Sequence, residues 1–168
     1  MDRAQAMADF DKARTEWEAV LAAVPDDALG YLKPGDDYAI GGLQVHVNHV
    51  LVHYRRVLDG LIGGGFAPMK VSDPPEEIAE TKVKTRAGLT AAERVQSLGQ
   101  MGALHAQVVE AITKLPESDW ARKAPVVFGE GPDPFPTSPE DVIGWLRDHY
   151  REHVHQAPEL VGVWRSTR

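Results

Sequence analysis

The chain of 168 residues contains no cysteine. That absence rules out disulfide bridges, cysteine-held zinc ribbons and thiol nucleophiles, and it leaves His, Asp and Glu to hold any metal ion. No run approaches the roughly 20 consecutive apolar residues that cross a bilayer, and the opening stretch MDRAQAMADFDKARTEW lacks the apolar core of a signal peptide. The expected location is the cytosol, with no membrane as partner. Basic residues are in deficit, with 18 Lys and Arg against 25 Asp and Glu and a net charge of −7. Nucleic acid is therefore not expected as a partner, because phosphate binding draws on clustered Lys and Arg. The one basic clustering, Lys82 to Arg86, is short and reads as a solvated face. Internal repeats and low-complexity tracts are missing as well.

What is present is 43% hydrophobic and 26% charged residues, enough to bury one sizeable core, so residues 1–168 are expected to form a single globular domain. Periodicity predicts four helices. In the first, Phe10, Ala13, Trp17, Val20, Leu21 and Val24 recur at spacings of three or four until Pro25. The second is predicted from about Ile40 to Ile62, with Leu43, Val50, Val57 and Leu61 inward, and Gly63-Gly64-Gly65 ends it. A long loop with Pro68, Pro74 and Pro75 follows. The third opens at Thr90-Ala-Ala-Glu93, a capping box in which hydroxyl and carboxylate satisfy free backbone amides, and it runs to about Leu115 on a stripe of Leu98, Met101, Val108 and Ile112. The fourth starts at Ser138-Pro139-Glu140-Asp141 and buries Val142, Leu146, Ala157 and Leu160. Pro158 removes an amide, so this helix is expected to end or kink just beyond His153. Val126-Val127-Phe128 sits among prolines and glycines and reads as an ordered loop. The expected fold is an all-α four-helix bundle, with connections long enough that at least one crosses the bundle.

The seven histidines carry the functional signal. His149 and His153 are four residues apart on the inward series Leu146, His149, His153, Ala157, Leu160, and residues so spaced share a helix face. His46 and His53 fall on the inward series of the second helix and His105 on that of the third, whereas His49 and His155 point elsewhere. A lone histidine on an apolar stripe is more commonly a hydrogen-bonded core residue than a ligand. Five inward imidazoles are different, because each carries a donor and an acceptor that need partners once buried, and a shared metal ion satisfies several together. His46 and His53 lie about 10 Å apart along their helix, so one ion can take only one of them.

Two segments resemble a known family. Tyr38-Ala-Ile-Gly-Gly-Leu-Gln-Val-His46 is similar to the start of the second helix in DinB-like (YfiT-like) four-helix-bundle proteins, and Asp148-His149-Tyr150-Arg151-Glu152-His153 resembles their H-x-x-x-H signature on the last helix. The resemblance implies a metal triad of His46, His149 and His153 and gives no role to His105. Where the family has Trp followed by Ser or Thr, this chain has Tyr38-Ala39, so Asp36 or Asp37 is expected to cap the second helix instead.

Three neutral histidines leave a coordination position open, the arrangement of a catalytic rather than a purely structural site. One divalent ion is expected, Zn or Ni first and Fe also compatible with imidazole, with affinity falling below about pH 6 where free imidazole protonates. Asp148, Tyr150 and Glu152 are the candidates to orient the outer ring nitrogens. The resemblance implies a metal-dependent enzyme of detoxification type that activates a low-molecular-weight thiol or water against a small electrophilic substrate, by S-transfer or hydrolysis. It also implies a homodimer. The alternative is a non-catalytic bundle that binds or sequesters a metal or small ligand. Phe66, Met69, Trp120, Phe128 and Phe135, with Trp17, Trp145 and Tyr150, are candidates for a pocket mouth.

Overall fold

A computed structural model describes residues 2–168. The molecule is mainly helical: α1 spans Arg3–Ala22, α2 Gly42–Gly63, α3 Pro75–Ala87, α4 Ala91–Thr113 and α5 Pro139–Ser166. Three short strands, β1 (Met69–Val71), β2 (Ala124–Phe128) and β3 (Phe135–Thr137), lie in the long connections. The four expected helices are α1, α2, α4 and α5. Helix α1 packs chiefly on α5 and α2 on α4, while α2 also touches α3 and α5. Phe10, Trp17, Leu21, Leu43, Leu51, Met101, Ile112 and Leu146 fill the core between them. None of the helices is long and apolar enough to cross a membrane, among the described residues.

The caps explain where the helices start. The Thr90 hydroxyl accepts from the Glu93 amide, the half of the expected capping box that opens α4. At α5 the box is complete and reciprocal, between Ser138 and Asp141, with Pro139 in the first turn. Helix α2 starts differently from expectation, for neither Asp36 nor Asp37 caps it. Its N-terminus is buried, and the chain entering it bonds outward through its backbone, from Ala39 to Thr85, Ile40 to Tyr31 and Gly41 to Leu29. A side chain at Gly42 would place its Cβ 1.8 Å from the Thr85 carbonyl oxygen, so only glycine lets the end of α3 sit here. This contact fixes the turn of α2 that carries His46.

Three features differ from the sequence reading. The connection after α2 holds a fifth helix, α3, started by Pro75 with Glu76 and Glu77 in its first turn and closed by Gly88 at φ +76°. Lys82 to Arg86 form its last turns. Second, Val126-Val127-Phe128 is strand, not loop: β2 pairs parallel with β1 and antiparallel with β3, matching Val126 to Met69 and Phe135. Third, α5 runs unbroken through Pro158 to Ser166. Losing one amide bond and accommodating the ring costs about 3 kcal/mol, but Leu160, Val161 and Trp164 beyond it are buried, and each such side chain contributes about 1.5–3 kcal/mol. Pro158 itself is exposed, so the interrupted bond faces solvent.

Candidate metal centre

Helices α2 and α5 bring His46, His149 and His153 together. One ring nitrogen from each lies within 4.8 Å of the other two, so the group could hold a metal ion. The Nε2 atoms of His149 and His153 are 3.0 Å apart, close to the separation of two nitrogens that each stand about 2.0–2.1 Å from one ion. The ring of His46 meets His149 edge-on at 4.9 Å between centroids and His153 at 5.7 Å. Tyr38 lies 4.8 Å from His46 and Trp17 5.8 Å from His153, so aromatic rings wall the group on two sides.

The electrostatics favour ligation. Burial, reinforced by the charge that neighbouring imidazoles would carry, pushes His46 down from its ordinary 6.5 to about 4 and His149 to about 3. Burial lowers His153 as well, against the opposing hydrogen bond that it donates to Gln156. All three rings are thus neutral at physiological pH, the form that offers a lone pair to a metal. His153 Nδ1 lies 2.8 Å from Gln156 Oε1. The amide oxygen can only accept, so Nδ1 carries the proton and Nε2 is free to face the centre.

That orienting role belongs to Gln156 and not to the acidic or phenolic neighbours singled out in the sequence. Tyr150 turns the other way, its hydroxyl 3.2 Å from His105 Nδ1. Asp148 pairs with Arg147 Nε at 2.8 Å. Asp148 and Glu152 instead line an opening of about 400 Å³ together with His46, Val50, Tyr54 and His149. The signal for Gln156 in the sequence is its place one turn after His153 on the same helix.

The other histidines have separate partners. His105 is buried, stacked on Phe10 at 4.0 Å and bound through Nε2 to Asp11 Oδ1 at 2.7 Å. Because a carboxylate only accepts, Nε2 carries the proton and Nδ1 accepts from Tyr150, which accounts for both ring nitrogens without a metal. His53 Nδ1 lies 3.0 Å from Asp73 Oδ2, and His49 lies 3.3 Å from the same oxygen and 3.5 Å from Glu77. Arg56 closes this cluster on Asp73 and Glu77 at 2.7 and 2.6 Å. It holds the chain before α3 against α2. His155 is exposed. Of the aromatic candidates for a pocket mouth, Trp145, Phe128 and Phe135 line openings beside the histidines, whereas Trp17, Trp120 and Tyr150 are buried in the core.

Antiparallel helices that aim three neutral, walled imidazoles at one point, beneath an opening, define a bundle protein with a metal-capable histidine centre. A sequence profile of the DinB superfamily matches residues 10–157, and the chain belongs to that superfamily. No curated protein gives a significant match to the chain.

Proposed function

We propose that this protein is a divalent-metal-dependent enzyme whose His46, His149 and His153 hold one ion, Zn or Ni in first place and Fe as the third candidate. The observation that carries the reading is the convergence of three neutral imidazoles within 4.8 Å, two of which, His46 and His149, line an opening of about 400 Å³, a volume suited to a small molecule. The donor set fits a borderline ion, and the open side leaves room for a further ligand. A divalent ion bound there would lower the pKa of water or a thiol toward neutrality and so supply a nucleophile. The reaction we infer is S-transfer from a low-molecular-weight thiol, or hydrolysis, on a small electrophilic substrate.

The chain's own residues supply the rest. Gln156 fixes the tautomer and ring plane of His153. Trp17 packs beside His153 and Tyr38 beside His46, which restricts how the two rings can turn. Glu152, at the opening, is the carboxylate we assign to accept the proton released by the nucleophile, since Asp148 is engaged by Arg147. The protein is expected to act in the cytosol as a homodimer, without nucleic acid or membrane.

The test is metal analysis joined to a thiol and electrophile screen. About one divalent ion per chain, lost in His149→Ala and His153→Ala but kept in His155→Ala, together with thiol conjugate or hydrolysis product that requires all three histidines, is the expected result. A protein that carries no ion after gentle purification would sink the triad, and tight ligand binding without turnover would favour sequestration.

A further inference from the structure

The opening over the histidines continues into a second one of about 350 Å³ lined by Tyr54, Phe128, Phe135 and Trp145, and the two share Tyr54 and Trp145. This continuity follows from the helices. On α2, His46, Val50 and Tyr54 follow one another at steps of four residues, and on α5 Trp145 precedes His149 by four. At 1.5 Å per residue, Tyr54 stands about 12 Å from His46 and Trp145 about 6 Å from His149 along the groove. The remaining two walls come from the sheet, Phe128 from the end of β2 and Phe135 from the start of β3. Trp145 is the hub, with ring centroids 5.7 Å from Tyr54, 6.3 Å from Phe128 and 6.0 Å from Phe135. Phe135 is 55% exposed, an arrangement a core aromatic would not adopt.

Charge narrows the occupant. Neither opening is lined by Lys or Arg, among the described residues, while Asp148 and Glu152 stand at the first. A carboxylate or phosphate lying in the second opening would find no cation among its lining residues, all four of which are aromatic. Aromatic faces accept flat apolar groups and, through their quadrupoles, cations.

We propose that the Tyr54, Phe128, Phe135 and Trp145 annex selects the substrate: an electrophile whose flat apolar group, neutral or cationic, lies about 6–12 Å from the atom that reacts at the histidines. This rests on the reading of the histidine site as a reaction centre. The strands in the long connections then have a function, which is to complete a specificity pocket that the helices alone leave open.

A matched probe series separates this inference from the one beneath it. Calorimetric titration would compare 2-naphthalenemethanol, 2-naphthylmethylammonium and 2-naphthoate on the protein stripped of metal by a chelator, so that no bound ion draws the carboxylate. The alcohol and the ammonium should bind at least tenfold more tightly than the carboxylate. Phe135→Ala, at an exposed position, and Trp145→Ala, checked for an unchanged circular dichroism spectrum, should each weaken the alcohol at least tenfold. His149→Ala should leave probe binding within twofold while removing the metal. Equal binding of the carboxylate, or indifference to Phe135→Ala, overturns the annex even where the metal triad stands. Conversion of a dimer to a monomer by Phe135→Glu overturns it too, because a second copy of this chain would then cover the patch.

Discussion

Gln156 accepts a hydrogen bond from Nδ1 of His153 across 2.8 Å, and that one contact decides which nitrogen of His153 faces His149. With the proton held on Nδ1, Nε2 presents its lone pair toward the centre. His149 Nε2 lies 3.0 Å from it, and ligation by both requires that neither atom carry a proton. Gln156→Leu removes the anchor, and loss of such an outer contact lowers metal affinity about 10–100-fold. Chelator competition measures this. Gln156→Glu, which keeps an acceptor, should retain affinity within about tenfold, and equal losses in both variants would show that the side chain acts by packing alone.

Burial changes the pH dependence expected from free imidazole. His46 and His149 protonate near pH 4 and pH 3 in the folded chain but near 6.5 when unfolded. Between about pH 6.5 and pH 4 the unfolded state therefore binds more protons, and the metal-free protein loses stability as pH falls through that window, by on the order of a few kcal/mol. Urea unfolding at pH 7, 5.5 and 4.5 should show the decline. Metal affinity, in turn, should persist below pH 6 and fail only toward pH 4–5, since protons compete only once the folded rings accept them. A loss of affinity centred at pH 6.5 would mean that the rings are as hydrated as in a free peptide.

His105 and Tyr150 form a separate, structural pair. His105→Ala leaves a cavity against Phe10 and strips the buried Tyr150 hydroxyl of its partner. The expected cost is about 2–4 kcal/mol. Tyr150→Phe should cost about 1 kcal/mol. Thermal unfolding gives both values, and metal content should stay at the wild-type level in both. A drop in metal content with His105→Ala would place His105 in the centre after all.

Legibility followed burial and range. Helices α1, α2, α4 and α5 were readable because each buries a stripe at helical spacing, and Thr90 and Ser138 mark two of their starts. Helix α3 was hidden because it buries only Thr85, leaving Ile78 and Val83 half or more exposed, so it has no apolar period to read. Strand β2 was hidden because its partner β1 lies beyond two helices in sequence, and pairing at such range has no local signature. His149 and His153 announced themselves through their spacing. His53 shares a stripe with His46, yet Asp73, delivered by a loop, captures it, and periodicity on one helix cannot register a partner from elsewhere.

Pro158 tests the same competition between local rule and tertiary packing. Its ring lies on the solvent side of α5, where the missing amide interrupts the bond to the carbonyl of Val154, while Leu160, Val161 and Trp164 hold the following turns against the core. Because the helix is already continuous, Pro158→Ala restores a bond without moving the residues that precede it. Stability should rise by about 1–3 kcal/mol, seen as a higher melting temperature, with metal affinity within about twofold of the wild type. His153 sits five residues before the proline, so a variant that tightened metal binding tenfold would show that the proline had been loosening the turn carrying His153. An unchanged melting temperature would show that α5 in solution ends at the proline, with Trp164 released from the core.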